Sequence, residues 1–192
     1  SLLDNGKVLV CGGSGSAELL ARVSAFTSRL LRPTDRLDAF DCGRPALDAW
    51  LSEQARRAQD AGTARTYVWA RRGEDRVVAY FAIAPTQVLR ADLPGGGLAG
   101  GYSVVPAYLL ARLAVDRSEQ GRGLGRQVLV DALGRIVEAA AVGGGRLIVV
   151  DAMDDPAHEF YRHHDFIPVA GSARLYMKIS TARAALGGSS AV

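Results

Sequence analysis

Leu113-Ala114-Val115-Asp116-Arg117-Ser118-Glu119-Gln120-Gly121-Arg122-Gly123-Leu124-Gly125 is the stretch on which the fold turns. The apolar run 107–115 predicts a strand, and 124–141 repeats its apolar residues at helical spacing until Gly143-Gly144-Gly145 ends it. A glycine loop between a strand and a helix N-terminus suits an anion, because unpaired backbone N–H groups and the helix dipole face the incoming charge. Glycine at 121, 123 and 125 removes the β-carbons that would hold a pyrophosphate off the backbone, while Arg122 and Arg126 add positive charge at the rim. A nucleotide-hydrolysing loop would need Lys followed by Ser or Thr after the last glycine, and Arg126-Gln127 stand there instead. Taken alone, the loop also reads as a purely structural turn.

Upstream, Phe40-Asp41-Cys42-Gly43 leads into Leu47, Trp50, Leu51, Gln54, Ala55 and Ala58, an amphipathic helical spacing that Gly62 stops. Residues 66–70 and 77–84 read as two strands of a hairpin around the charged turn 71–76, and 94–101 as a glycine-rich, mobile excursion. Beyond the long helix, 146–150 has the β-branched composition of a buried parallel strand, 156–163 reads as a short helix and 175–179 as a last strand. The alternation predicts an α/β (α+β) domain over residues 28–180, with a mixed central sheet flanked by helices. Residues 1–27 read as an extension: a strand over 7–10, a Gly/Ser patch over 12–16 and a helix from Ala17 make only half of a dinucleotide fingerprint, and Glu18 sits where the third glycine belongs. Residues 181–192, ending in Gly187-Gly188-Ser189-Ser190, have little to bury and are expected to form a flexible tail.

With 48% hydrophobic and 22% charged residues, the 192-residue chain can bury one substantial core without disulfides or a structural metal. Its apolar runs fall well short of the roughly 20 residues a membrane helix needs, so a soluble protein with no membrane partner is expected. Cys11 and Cys42 match neither a zinc cluster nor a disulfide framework, which predicts free thiols in a reducing cytoplasm. His158, His163 and His164 lack both cysteine neighbours and HExxH spacing, so no metal is expected. The net charge of +3 is carried almost wholly by arginine, Lys7 and Lys178 being the only lysines. That excess permits an RNA or phosphate-bearing partner, and it is also what a GC-rich coding bias would write.

Two segments carry a family resemblance. Leu113-Ala114-Val115-Asp116 followed by Gln120-Gly121-Arg122-Gly123-Leu124-Gly125 resembles the CoA-binding motif of GNAT acetyltransferases, Gln/Arg-x-x-Gly-x-Gly/Ala after a splayed strand. Ala157-His158-Glu159-Phe160-Tyr161-Arg162-His163-His164-Asp165-Phe166 is similar to that family's Ala-x-x-Phe-Tyr-x-x-x-Gly-Phe segment, with Asp165 in place of glycine. A narrower set resembles the GNAT toxins of toxin–antitoxin pairs: Phe40-Asp41-Cys42-Gly43 through Leu47-Asp48-Ala49-Trp50-Leu51, then Thr66-Tyr67-Val68, then Ala111-Arg112-Leu113-Ala114-Val115-Asp116.

The resemblance implies the GNAT fold, whose splayed strands hold acetyl-CoA. It also implies an aminoacyl-tRNA acceptor, a ribbon-helix-helix antitoxin and a homodimer. By the same resemblance, the strand carrying Leu113, Ala114 and Val115 binds pantetheine through its backbone. Gln120, Gly121, Arg122, Gly123, Leu124, Gly125 and Arg126 hold the pyrophosphate, Phe160 lies against the cofactor, and Tyr161 protonates the departing CoA thiolate. Arg56, Arg57, Arg65, Arg71, Arg72 and Arg90 are candidates for tRNA phosphates, with Arg65, Arg71, Arg72 and Arg90 preferred; the plainer reading of each is solvated surface charge. Asp151 reads as a strand-end cap and Glu159 as a solvated helix position, so water suffices as base for an amine that titrates near ~8. The alternatives from residue chemistry alone are a core tyrosine at 161, a small-amine or protein-amine acceptor, and a non-catalytic module that binds RNA or a partner.

Overall fold

The structure is a computed structural model that describes residues 25–94 and 103–187. The strand and helix expected over 7–10 and from Ala17, residues 95–101 of the glycine-rich excursion and the last residues of the tail lie outside that range. The chain runs β1 (Phe26–Leu30), α1 (Pro45–Ala49), a π-helical turn (Trp50–Gln54), α2 (Ala55–Asp60), β2 (Arg65–Arg71), β3 (Val77–Leu89), β4 (Val104–Val115), α3 (Leu124–Gly143), β5 (Leu147–Asp151), α4 (Asp155–His163), β6 (Ile167–Pro168), β7 (Arg174–Lys178) and α5 (Ile179–Gly187). The seven strands form a mixed sheet in the order β1-β2-β3-β4-β5-β7-β6.

Among the described residues, the first of two compact units takes the chain up to Ala82, then Arg112–Asp131, and the end of α5 from Ala185. Leu47, Leu51 and Ala55 recur every fourth residue, so one face of α1, the π turn and α2 is buried against Leu31, Leu37, Phe40, Val68, Val77, Tyr80 and Ala114. Tyr80 is wholly buried; its hydroxyl donates to the Leu47 carbonyl at 2.9 Å, and its ring meets Phe40 edge-on at 5.5 Å and stacks on Trp50 at 5.9 Å. The helix stops where the sequence places its stop. Gly62 takes φ +71, and Ala61 and Gly62 donate back to Arg57 and Gln59 at 2.9 and 3.1 Å.

The second unit holds Ile83–Ala111 and Ala132–Ala184. Its β5 is apolar from Leu147 to Val150 and buried at all four positions, as expected of a strand covered on both faces. The ladder between β4 and β5 is parallel and covers Ala107–Leu109, so the last residues of β4 lie beyond it, while β5 continues to pair antiparallel with β7 as far as Asp151. Gly144 and Gly145, which end α3, take φ +78 and +140, and a β-carbon on Gly145 would stand 2.8 Å from the Tyr108 ring. Here glycine is needed both for the dihedral and for the space.

Two boundaries differ from the sequence reading. The proposed extension over 1–27 overlaps β1, because Phe26 and Thr27 pair with Arg71 and Ala70. With only five residues and a mixed burial pattern, β1 gives no clean alternation from which to recognise it. The expected flexible tail begins instead as α5, which buries Ile179 and Ala182 against the fold through to the described end at Gly187.

Candidate active site

In the first unit, β4 ends in a polar knot built on Asp116. That carboxylate is 3% exposed and accepts the Ser118 amide at 3.0 Å, the Ser118 hydroxyl at 2.6 Å and the Asp41 amide at 3.1 Å. Burial opposes its ionisation, but the Ser118 and Asp41 hydrogen bonds and the Arg76 charge outweigh it and hold the pKa below the ordinary carboxylate value. Asp116 thereby caps the one-turn 3₁₀ helix Arg117–Glu119 that leads into the glycine loop.

Past that turn, Gly121 and Gly123 take φ +71 and +78, a left-handed path that carries the chain into α3. A β-carbon on Gly121 would meet nothing within 4 Å, so the loop's outer side is open. The first turn of α3 carries no acid, and Arg122 and Arg126 are exposed at its rim. Buried Glu119, the acid next to the loop in sequence, is paired within the protein: Arg71 hydrogen-bonds it and Arg122 stands 3.6 Å away. The open turn at Gly121, the N-terminus of α3 and the exposed guanidinium groups of Arg122 and Arg126 fit a pyrophosphate. Leu113 is half-buried, and Ala114, Val115 and Leu124 are buried and belong to the core.

In the second unit, α4 starts at Asp154, whose side chain accepts the Ala157 amide at 2.9 Å, and ends with Arg162 and His163 at its negative pole. Tyr161 is its buried residue, packed edge-on to Phe160 at 5.3 Å and to Phe166 at 5.4 Å. Its phenol pKa is pushed up by burial alone, and among the described residues no hydrogen bond occupies its hydroxyl. A neutral phenol with an unused proton results. Asp165, the departure from the family's glycine, has φ +64 and is the one non-glycine residue described with positive φ. Asp thus makes the same left-handed turn glycine would make, and the Phe166 amide returns to the Tyr161 carbonyl at 3.1 Å.

Asp151 binds Arg174 bidentately at 2.7 and 2.8 Å, and Glu159 is exposed beside Arg162 at 3.0 Å. His164 Nδ1 lies 2.7 Å from the Phe160 carbonyl, and no metal-holding group of His, Cys, Asp or Glu exists among the described residues. Arg56 donates to the carbonyls of Pro33 and Asp35, at 3.3 and 2.7 Å, so it braces the fold. Arg71 is held by Glu119 with its guanidinium 5.4 Å over the Phe26 ring. Arg57, Arg65 and Arg72 are exposed and Arg90 half-buried. Cys42 is buried and its thiol pKa is pushed up to about 12, first by burial and then by Asp48, so it is chemically quiet. Sequence reasoning passed over Asp116 and Glu119 as site residues. Their only signal was position, flanking the turn that enters the loop.

A family model described as an acetyltransferase (GNAT) domain matches residues 63–168. A "tRNA-acetylating toxin" of Mycobacterium tuberculosis is 42% identical over 160 residues, covering 83% of this chain and 95% of the relative. Among solved structures, AtaT complexed with acetyl-methionyl-tRNAfMet superposes with a TM-score of 0.77 at 28% identity, over 82% of this chain and 97% of that one. A mutant AtaT toxin bound to the C-terminus of the antitoxin AtaR and acetyl-CoA matches with a TM-score of 0.72 at 27% identity, over 83% and 96%. The chain belongs to the GNAT acetyltransferase family. It is an acyltransferase, acetyl-CoA is its cosubstrate, and its relatives are tRNA-acetylating toxins.

Proposed function

We propose that this protein moves the acetyl group of acetyl-CoA to the α-amine of an aminoacyl-tRNA and so acts as the translation-blocking toxin of a toxin–antitoxin pair. The observation that carries the reading is the 42% identity to a tRNA-acetylating toxin across 83% of the chain. The likeness to AtaT in complex with acetyl-methionyl-tRNAfMet supports the same acceptor, and the AtaT–AtaR complex supports an antitoxin partner. The resemblance of the sequence to GNAT toxins adds the finer parts: a ribbon-helix-helix antitoxin, a homodimer, and action in the cytoplasm where charged tRNA is found. No described helix is long and apolar enough to cross a membrane.

The backbone of β4 at Leu113 and Val115 takes pantetheine, and the N–H groups from Gly121 to Gly125 take the pyrophosphate, with Arg122 and Arg126 meeting its charge. The neutral α-amine attacks the thioester carbonyl; the C–N bond forms, the C–S bond breaks, and water removes the amine's extra proton. Tyr161 gives its phenolic proton to the departing sulfur, whose thiol titrates near ~8.5 and leaves more readily when its charge is met. Burial keeps that phenol protonated at neutral pH, which is the state the role requires.

The test is transfer of label from acetyl-CoA to charged tRNA by the purified protein. Charged tRNA should be labelled and uncharged tRNA left untouched, because only the ester presents the amine. Labelling of a small amine or peptide under conditions that leave every charged tRNA unlabelled would reduce the reading to an acetyltransferase of another acceptor.

A further inference from the structure

Phe40-Asp41-Cys42-Gly43 is distant in sequence from the cofactor loop yet is tied to it by several bonds. Phe40 anchors it in the core at 7% exposure, edge-on to Tyr80. The Arg117 amide donates to the Asp41 carbonyl at 2.9 Å, and the Asp41 amide donates to Asp116 at 3.1 Å. The Gln120 carboxamide nitrogen donates to the Cys42 carbonyl at 2.9 Å and to the Val115 carbonyl at 2.7 Å. Both acceptors are carbonyls, so the amide orientation is fixed: turned over, its oxygen would face two oxygens. Both of its N–H groups are therefore used inside the protein. Asp41 also folds the segment on itself, accepting the Gly43 amide at 2.8 Å and standing 3.4 Å from Arg117.

A loop with glycines at 121, 123 and 125 has more conformations to lose than any other composition, and unbraced it would lose them on binding its ligand. Ties made in advance remove that cost from the binding step. We propose that the Phe40–Gly43 segment is the buttress that fixes the shape of the pyrophosphate loop, with Gln120 a positioning residue whose side chain acts on this segment and not on the cofactor. The proposal rests on the reading of Gly121–Gly125 as the cofactor loop.

Acetyl-CoA affinity is measured by calorimetry on the full chain, with steady-state kinetics and thermal unfolding alongside. Gln120→Leu removes both donated bonds and should raise Kd and KM for acetyl-CoA by about five- to thirty-fold while kcat at saturation changes by less than about twofold. Gln120→Arg, which restores donors at this position, should recover most of the affinity. Asp41→Ala touches only the buttress and should still weaken acetyl-CoA binding by about two- to tenfold, with the acceptor KM unchanged. Asp41 is exposed, so this variant folds even where a change at the loop itself does not. Wild-type Kd in Gln120→Leu, or weakened binding in Gln120→Leu with wild-type Kd in Asp41→Ala, overturns the buttress, the second pattern returning Gln120 to direct cofactor contact. Gly125→Val separates the two layers: its φ is an ordinary one, so valine adds bulk without backbone strain. Loss of binding in Gly125→Val upholds the cofactor loop whatever the buttress variants do, and wild-type affinity there overturns the loop and the buttress together.

Discussion

Tyr161→Phe removes one oxygen from a site where the structure says that oxygen holds nothing. The phenol has no hydrogen-bond partner among the described residues, and the ring's edge contacts to Phe160 and Phe166, at 5.3 and 5.4 Å, survive the change. Unfolding free energy should therefore shift by less than about 1 kcal/mol, and acetyl-CoA affinity should stay within about twofold. The loss should appear in kcat alone, by about 10²–10⁴-fold, which corresponds to roughly 2.7–5.5 kcal/mol of barrier. The pH profile adds a second signature. Burial raises the Tyr161 pKa, so the acid stays protonated through and beyond the ordinary phenol value near ~10; wild-type kcat/KM should rise as the acceptor amine deprotonates and then hold level, with no falling limb below about pH 10. Steady-state turnover on one charged tRNA from pH 6 to 10, with urea unfolding of the same preparations, measures all of this. A kcat within about threefold of wild type in a folded, cofactor-binding Tyr161→Phe protein would refute the proton-donor role and leave Tyr161 a packing residue.

Other outcomes follow from the same bonds. Asp116→Asn should destabilise the first unit by about 2–4 kcal/mol, because an amide nitrogen must then face one of the donors Asp116 now accepts. The Asp116 pKa is depressed, so its contribution is full above the ordinary value near ~3.9 and is lost as pH falls through the lower folded value; the gap between wild type and mutant, read by Trp50 and Trp69 fluorescence in urea, should be constant from pH 8 to 5 and narrow only in acid. Gly145→Ala should cost about 1–3 kcal/mol, since its φ of +140 and a β-carbon 2.8 Å from the Tyr108 ring leave no room for a side chain, and a melting temperature equal to wild type would count against that geometry. Binding of charged tRNA should weaken with salt at a log–log slope of roughly −0.7 to −0.9 per phosphate neutralised, and exposed Arg65→Glu should flatten that slope without changing acetyl-CoA affinity. Arg71→Glu is a poorer probe because it also breaks the tie to Glu119, which would show as lost stability.

The parts legible from sequence were those with a strong local period or an unusual local composition. The strand, glycine loop and long helix around Gln120–Gly125 were readable because apolar spacing, three glycines and flanking arginines all lie within a few residues of one another. The Asp165 turn was readable only as a question: chain chemistry permits Asp in the left-handed region without requiring it there. What stayed hidden depends on contacts across the chain. β1 is a strand because β2 offers it an edge, a fact nothing in Phe26–Leu30 encodes. Gln120 heads the motif, but nothing near it in sequence shows that its carboxamide donates to the carbonyls of Val115 and of Cys42, 78 residues earlier. Arg71 likewise passed for free surface charge, although buried Glu119 and the Phe26 ring already hold it.

The Arg71–Phe26 contact sets a sharp limit on shortening the protein from its N-terminal side. Ala25 accepts the Arg72 amide at 2.9 Å, and Phe26 lies beneath the Arg71 guanidinium. Deleting these two residues would uncover Arg71, loosen its grip on Glu119 and so reach the acid at the mouth of the glycine loop, although the cut itself lies at the far edge of the sheet. Removal of Ala25 and Phe26 should thus register as lost stability at the glycine-loop end of the first unit, and anyone trimming this chain for crystallisation or fusion should keep both residues.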